Sequence, residues 1–249
     1  MKLSIEITTL SNLFIGGSPV TFEIGGIDLY TVTSNQGVPY IPASSLKGGS
    51  KQIGRETNSQ MPDDLKDASH IIGQAYKEYL TVLQEHNQKE VKQYNIEQER
   101  IDKMNARYKK VIDQASVESL FGIEGFNDSP KLMFNDLLPI TQEKDIEKYF
   151  SIDSKNSIQQ NDEGDVPQVS ANPRTYRVVR PGITFAGDII LYNMEKLQHD
   201  GHDISKMVES YLTYILDQFN TGFYRLGNSG SRGYGRIKLD IVEGETRHG

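Results

Sequence analysis

The most distinctive chemical stretch of the sequence is a run of glycine, serine and arginine at residues 223–236, FYRLGNSGSRGYGR. Glycine recurs there and no large apolar side chain occurs between positions 228 and 232, so backbone N–H groups can come close to phosphate oxygens. The three arginines of the run can neutralise phosphate charge, and its two tyrosines can stack on bases. The run lacks the Lys-Ser/Thr ending of a nucleotide P-loop, which argues against an NTPase. It therefore predicts a loop that binds nucleic acid, with a plain connection between a helix and a strand as the alternative.

A single carboxylate, Asp28, follows the Gly25–Gly26 pair within residues 22–51. The two glycines predict a bulge or a close approach of two backbone segments. A lone aspartate in such a place is either a turn or cap residue or a candidate catalytic group. Local chemistry leaves both interpretations open.

Further along, residues 42–47, PASSLK, predict the start of a helix with a serine cap and a cation in its first turn. Because the first N–H groups of a helix have no partner within the helix, they can bind a phosphate. A second basic segment lies at 172–182, where Arg174, Arg177 and Arg180 are spaced by three and Tyr176 could stack on a base. An exposed basic strand or turn explains the same segment equally well.

Neither the histidines nor the absence of cysteine supports a chemistry other than nucleic-acid binding through these segments. His199 and His202 could form a weak metal pair, but they lie beside a predicted helix start and also suit a polar turn, while the other three lie in helical segments or the tail. No histidine falls among the glycine-rich segments, so a ribonuclease using histidine as acid and base has little support. The absence of cysteine excludes disulfides, thiolate zinc sites and cysteine nucleophiles.

The net charge of −7 is unevenly distributed. Residues 40–60 and 222–249 each carry a net charge of +2, whereas residues 119–164 carry −5. A local basic groove can therefore exist on an acidic molecule. No apolar run approaches the roughly 20 residues of a membrane helix, and the N-terminal sequence lacks the apolar region of a secretory signal, so we expect no membrane partner and a cytoplasmic location.

The elements that must position these residues follow from hydrophobic periodicity. Residues 2–9 and 236–242 alternate as half-buried strands, and 131–138 and 178–192 are typical of strands. Residues 203–220 predict a helix, residues 63–118 predict two or three amphipathic helices, and the polar stretch from 139 to about 164 predicts a loop or projecting hairpin. The order of strands and helices predicts an α+β fold of the ferredoxin-like, split βαβ type.

Six motifs, taken together and in this order, resemble the RAMP superfamily, and specifically the backbone (Csm-type) subunit of type III CRISPR effector complexes. They are FIGG at 14–17, IGGID at 24–28, PYIPASSLKG at 39–48, SLFG at 119–122, ANPR at 171–174 and GNSGSRGYGRI at 227–237. The family usually has GSSLKGKMR where this chain has ASSLKGGSK at 43–51. Of the family's Lys and Arg after the second glycine-containing position, only one basic residue, Lys51, is present here, and the additional glycine weakens the first helix.

The resemblance implies a single RAMP domain over 1–249, a ferredoxin-like (RRM-like) palm with a helical insertion at about 61–118 and a projecting β-hairpin thumb at about 139–182. It implies that copies stack as a filament along a CRISPR guide RNA, together with other type III effector subunits. It also implies that each copy cuts complementary target RNA as an endoribonuclease, with Asp28 as the catalytic and metal-binding residue and Mg²⁺ or another divalent cation as cofactor. The implied RNA-binding residues are Ser44, Ser45, Lys47, Lys51, Arg174, Arg177, Arg225, Gly227, Ser229, Gly230, Ser231, Arg232 and Gly233.

Two alternatives remain at this point. One is a structural RNA-binding subunit of the same complex that does not cut. The other is a stand-alone endonuclease of the same superfamily that processes repeat RNA, and the lack of a suitably placed histidine weighs against it.

Overall fold

A computed structural model describes residues 1–17, 27–91, 97–161 and 168–242, with the backbone alone for 155–161 and 168–173. The Gly25–Gly26 pair and His248 lie outside the described residues. The strands are β1 Lys2–Thr9, β2 Leu29–Tyr30, β3 Lys131–Phe134, β4 Leu138–Pro139, β5 Phe150–Asn161, β6 Gln168–Val179, β7 Thr184–Tyr192 and β8 Ile237–Val242. The α-helices are α1 Ala43–Thr57, α2 Asp63–Val91, α3 Gln98–Asp113 and α4 Ile204–Asp217.

The larger sheet has the strand order β3–β7–β1–β8, with β4 also paired to β7. Strand β1 buries Leu3, Ile5 and Ile7 on one face, as its alternating sequence predicts, and pairs antiparallel with β8. With α1 following β1 and α4 following β7, this is the connectivity of the ferredoxin-like unit. The predicted α+β class is therefore confirmed.

The predicted continuous strand over 178–192 is wrong. Strand β6 ends at Val179 and β7 begins only at Thr184. Between them Gly182 has a φ of +88°, a left-handed conformation that suits glycine and turns the chain. The sequence Pro181–Gly182 is a turn signal that the apolar residues on both sides conceal.

The chain divides into two compact units. The first comprises Met1–Leu3, Ser50–Phe134 and Ile189–Leu216. Its helices α2 and α3 are joined by a hydrogen bond from Gln88 to Asn105 (2.9 Å), and the buried Tyr76 hydroxyl donates to the Pro130 carbonyl (2.8 Å). The first unit thus holds the predicted amphipathic helices, of which the described residues 63–91 and 97–118 contain two.

The second unit comprises Ser4–Gly49, Asn135–Asp188 and Asp217–Gly249. In it β5 and β6 form a long antiparallel hairpin whose register runs from Phe150 opposite Val179 to Asn161 opposite Gln168. Strand β2 pairs parallel with β6 on its other side, which gives a three-stranded sheet in the order β2–β6–β5. The polar stretch after residue 139 therefore contributes the first strand of a hairpin.

An extended segment, residues 12–17, lies at the centre of the second unit's hydrogen bonding. On one side Leu13 exchanges two 2.9 Å hydrogen bonds with Val179 of β6, and the Ile15 carbonyl accepts from Val32 (2.8 Å). On the other side its carbonyl groups accept from the chain near β8, as described below. Alternate residues of an extended chain direct their backbone groups to opposite sides, so one segment can hold two partners.

The glycines of α1 do not break the helix. Helix α1 runs for 15 residues through them. A Cβ at Gly49 would lie 3.1 Å from the Phe219 ring, and one at Gly54 would lie 2.8 Å from the Tyr211 hydroxyl. These two glycines therefore allow aromatic side chains from the α4 region to approach the α1 backbone closely.

Within the described residues, no helix is long and apolar enough to cross a membrane.

Glu118 is the acceptor of an ionic cluster in the first unit. Its Oε2 lies 2.5 Å from Nη2 of Arg55 and 3.7 Å from Nζ of Lys51. The hydrogen bond from Arg55 holds the pKa of Glu118 below its usual range. Since the folded-state pKa is lowered, the pair stabilises the folded protein above the ordinary glutamate pKa, and this contribution is lost as the pH falls through the lower folded value.

We therefore predict that the wild type melts at a higher temperature than Glu118→Gln at pH 7, and that the difference shrinks progressively as the pH falls below the ordinary glutamate pKa of about 4. Thermal unfolding of both proteins between pH 7 and pH 3 measures this. Glu99→Gln is the matched control, because Glu99 pairs with Lys103 at 2.6 Å on an exposed helix surface, where ion pairs contribute little. A difference for Glu118→Gln that is undiminished at pH 3 would contradict the account.

Candidate nucleic-acid interface

The glycine-rich loop, residues 226–236, is fixed at both ends by glycines that no other residue could replace without movement. Gly227 and Gly235 have φ values of +78° and +72°. A Cβ at Gly227 would overlap the Phe14 carbonyl oxygen, and one at Gly235 would overlap the Leu226 carbonyl oxygen. Asn228 N–H donates to Phe14 (2.7 Å) and Gly235 N–H donates to Asn12 (2.8 Å). Both ends of the loop are therefore held on segment 12–17.

Between these anchors the chain makes an exposed turn. Ser229 has a φ of +63° and is followed by a single 3₁₀ turn at Gly230–Arg232. Arg232 and Gly233 close the turn by donating back to Ser229 and Gly230 (2.9 and 3.0 Å). In the part of the chain that the structure describes, the N–H groups of Ser229, Gly230 and Ser231 donate to no protein acceptor. Successive N–H groups in a left-handed then right-handed conformation form a concave site for an anion.

The basic side chains near the turn differ in exposure. Ser231, Arg232 and Gly233 are exposed, so the Arg232 guanidinium can reach a phosphate at the turn. Arg225 is half-buried, and its Cβ and Cγ lie so close to Gly230 that a Cβ there would be 3.0 Å away. The aliphatic part of the Arg225 side chain thus also packs against the turn at Gly230.

The prediction that the tyrosines of these segments stack on bases is wrong for Tyr234 and Tyr176. Their side chains are 4% and 5% exposed and form a buried cluster with Phe14 and Val178. Phe14 and Tyr176 pack edge to face with ring centroids 5.3 Å apart. The Tyr234 hydroxyl donates to the Asp153 carboxylate, and burial together with this bond raises the pKa of Tyr234. These rings belong to the core that supports the loop.

Asp28 is exposed and is tied to β6 by its backbone and its side chain. Its N–H donates to the Thr175 carbonyl (2.8 Å), and its Oδ2 accepts from the Thr175 N–H (2.7 Å). The carboxylate therefore has a fixed position at the start of β2. Among the described residues, Oδ1 has no hydrogen-bond partner, so it remains open to solvent or a ligand.

The first turn of α1 is capped differently from the prediction. The helix begins at Ala43, and the Ala43 N–H donates to Oδ1 of Asp136, which precedes β4 (2.7 Å). The predicted serine cap is wrong, because Ser44 and Ser45 lie inside the first turn. A carboxylate at this end occupies one free N–H group and weakens the attraction for phosphate. Ser44 is exposed and Lys47 half-exposed, so both remain candidates for RNA contact.

Lys51 and the arginines of β6 are not equally available. Lys51 belongs to the Glu118 cluster described above. Arg177 lies 3.9 Å above the Phe150 ring and 2.7 Å from the Glu147 carboxylate, so its guanidinium is already neutralised. Arg174 is exposed. Because Arg174 and Arg177 are three residues apart on one strand, they point to opposite faces, and the structure does not bring them together.

A divalent cation fits this site only if RNA supplies most of its ligands. No group of three or more His, Asp or Glu residues that could hold a metal occurs among the described residues. Asp28 offers one carboxylate oxygen, and Mg²⁺ binds to such sites through one or two carboxylates plus phosphates and water. Among the described residues the histidine pair belongs to no such group, and His199 Nδ1 lies 2.8 Å from Glu78 Oε1.

Sequence reasoning missed the residues that hold the site in place, namely Asn12, Asp136, Asp153 and Thr175. Thr175 and Asn12 act through their backbone groups, which no sequence pattern reveals. Asp153 and Asp136 look like two more acids in an acidic stretch, and only their long-range partners distinguish them.

Comparison with known protein families agrees with the six sequence motifs described above. The RAMP superfamily model matches residues 6–238. The chain belongs to the RAMP superfamily. The predicted resemblance to this superfamily is confirmed, whereas the narrower Csm type stays a prediction. No curated protein sequence matches the chain.

The solved structures that are similar to this RAMP protein include the following two. One is a chain of the type III-B Cmr-beta complex bound to cognate target RNA, studied by cryo-EM, with 19% identity, a TM-score of 0.49 and alignment over 97% of this chain and 60% of that one. The other is the crystal structure of Cmr6 from Pyrococcus furiosus, with 16% identity, a TM-score of 0.42 and coverage of 95% and 97%. This chain therefore spans about 60% of the length of the first of these.

The loop geometry makes a direct prediction about two of its glycines. Gly233 and Gly235 both have positive φ, but a Cβ at Gly233 would meet nothing within 4 Å, whereas one at Gly235 would overlap a carbonyl oxygen. We expect Gly233→Ala to destabilise the protein by about 1–2 kcal/mol, the cost of a left-handed conformation, and Gly235→Ala to destabilise it considerably more. Urea unfolding of the two variants measures the difference. Equal losses would contradict the anchoring role of Gly235.

Proposed function

We propose that this RAMP protein is a guide-RNA-binding backbone subunit of a type III CRISPR effector complex, of the Csm type, and that it cuts complementary target RNA at Asp28. The observation that carries the RNA-binding part is the exposed turn at residues 229–233. It offers three successive N–H groups and an arginine on a frame anchored at both ends. The order of the six motifs along the chain supports the assignment to the backbone subunit.

The loop would bind the guide through its phosphates. N–H groups and a guanidinium recognise charge and backbone shape without reading bases, which suits a protein that must accept any guide sequence. Base pairing between guide and target would then supply the sequence selection. The contact would extend to neighbouring nucleotides through Arg174 of β6 and through side chains at the start of α1, namely Ser44, Ser45 and Lys47. Arg177 could bind RNA only after its ion pair with Glu147 breaks.

Cutting would proceed by internal attack. The ribose 2′-oxygen forms a bond to the adjacent phosphorus as the bond from phosphorus to the 5′-oxygen breaks, which leaves a 2′,3′-cyclic phosphate and a 5′-hydroxyl. An A-form duplex disfavours the required in-line geometry, so a local distortion of the target backbone is needed. The β5–β6 hairpin, as the thumb of the family, would supply that distortion by interrupting the guide–target duplex.

Asp28 would act on the attacking group. Thr175 fixes one carboxylate oxygen, so the other can accept the proton of the 2′-hydroxyl while the 2′-oxygen faces phosphorus. The departing 5′-oxygen would take a proton from water. A Mg²⁺ ion held by Asp28 and RNA phosphates would supply positive charge near the reacting phosphate. With one such site in each copy along a guide, cuts would fall at regular intervals.

A second candidate function is an RNA-binding subunit that does not cut. One observation favours it: the described residues around Asp28 form no metal-binding cluster, so a single carboxylate must serve. The two candidates share every RNA contact and differ only at this residue.

The test is a cleavage assay on the assembled complex carrying Asp28→Asn. The amide keeps an oxygen that can accept the Thr175 N–H and removes the charge, so guide binding and assembly should stay unchanged. We expect target cutting in Mg²⁺ to fall at least about 100-fold, the usual contribution of an acid–base group. Asp240→Asn is the matched control, an exposed aspartate of β8 paired only with Lys238 among the described residues.

Two results would overturn the proposal in different ways. Cutting by Asp28→Asn at the wild-type rate would remove Asp28 from the reaction. A wild-type complex that holds guide and target but leaves the target intact in Mg²⁺ would establish the structural subunit instead.

A further inference from the structure

The inference concerns Tyr234 and Asp153, a partly buried pair that links the glycine-rich loop to the β5–β6 hairpin. Tyr234 lies within the loop, directly after the exposed turn, and its hydroxyl donates to Oδ2 of Asp153 on β5. The two residues are 81 positions apart in sequence. A buried hydroxyl bonded to a carboxylate is a strong, directional contact. It therefore fixes the loop against one particular residue of the hairpin.

Packing alone does not require this bond. The Tyr234 ring already fills the cluster with Phe14, Tyr176 and Val178, and a phenylalanine would fill the same volume. A buried hydroxyl costs stability unless it has a partner, and Asp153 is a half-buried acid within a strand. The pair thus adds a directional side-chain bond to β5 beside the backbone hydrogen bonds that hold the loop on segment 12–17.

The same short stretch of β6 also holds Asp28. Thr175 binds the Asp28 carboxylate and backbone, and the next residue, Tyr176, lies opposite Asp153 in the β5–β6 register. On the other side of β6, Tyr176 lies opposite Leu29, the residue after Asp28. Asp28 and the Asp153–Tyr234 pair are therefore attached to opposite edges of β6 at adjacent residues.

We propose that Tyr234 and Asp153 are positioning residues that set the location of the loop-bound RNA relative to Asp28, and so determine which phosphodiester of the target is cut. This proposal rests on the proposed function. A loop that holds RNA phosphates can select one scissile bond only if its distance from Asp28 is fixed. The backbone anchors on segment 12–17 set this distance in part, and the Tyr234–Asp153 bond completes it, because it joins the turn end of the loop to the strand pair that holds Asp28.

The experiment uses the assembled complex with guide and target RNA, and maps the ends of the cleavage products at single-nucleotide resolution. Tyr234→Phe and Asp153→Asn each weaken the tie and keep the packing. We expect both to retain guide binding and assembly, to cut about 10-fold or more slowly, since small misplacements are costly, and to spread the product ends over neighbouring phosphodiesters. The double variant should be no worse than the more severe single variant, because both act on one contact.

Tyr149→Phe is the matched control. Tyr149 is a buried tyrosine at the base of the same hairpin, and its hydroxyl donates to the Thr141 carbonyl (2.5 Å) and contacts no part of the glycine-rich loop in the described structure. Tyr149→Phe loses this bond and the one that the hydroxyl accepts from the Glu143 N–H (2.9 Å), and it should leave the product ends unchanged. Product ends that are equally sharp in Tyr234→Phe and the wild type, or equally spread in Tyr149→Phe, would overturn the positioning role.

Failure of the proposed function would look different. If the wild-type complex binds target and does not cut, the cutting proposal and the choice of phosphodiester both fail. Nuclease footprinting of the bound guide then tests the remaining step, that the pair holds the loop. Loss of protection at regular positions in Tyr234→Phe but not in Tyr149→Phe would support that step, and identical footprints would overturn it.

Discussion

The backbone of segment 12–17 is the interaction on which the proposed site depends. Through Leu13 and Ile15 it is bonded to β6 and to the chain after β2, and through Asn12 and Phe14 it holds both ends of the glycine-rich loop. One extended strand can do this because its peptide groups alternate between two sides. The loop has only the single 3₁₀ turn at Gly230–Arg232 as regular structure and is still well defined, since segment 12–17 supplies hydrogen bonds at both of its ends.

Steric exclusion adds to these hydrogen bonds. Gly227 and Gly235 lie against carbonyl oxygens where no side chain fits, and the Tyr234 side chain packs in the apolar cluster. The turn between them is open to solvent, and in the described structure three of its N–H groups donate to no protein acceptor. Rigid anchors with an exposed polar turn are what a phosphate-binding loop requires, because the groups are ordered before RNA arrives and less entropy is lost on binding.

Much of the fold could be predicted from local patterns, since the alternation of Leu3, Ile5 and Ile7 and the apolar face of α4 each follow from one segment. The glycine-rich loop and Asp28 were also recognisable, from residue type and from family resemblance. What the sequence could not give was contact at long range. The burial of Tyr176 and Tyr234, the cap from Asp136 and the neutralisation of Arg177 by Glu147 each depend on a partner about 30 or more residues away. Aromatic and basic residues near glycines therefore suggested RNA contacts where the structure has core packing and ion pairs.

The central claim is that the exposed turn of the anchored loop holds RNA. Its most direct test is to purify the protein with its co-expressed complex, cross-link the bound RNA with ultraviolet light, and identify the modified peptides by mass spectrometry. The account predicts that the strongest cross-links fall within residues 227–233. Abundant co-purified RNA whose cross-links lie only elsewhere in the chain, with none in that turn, would contradict it.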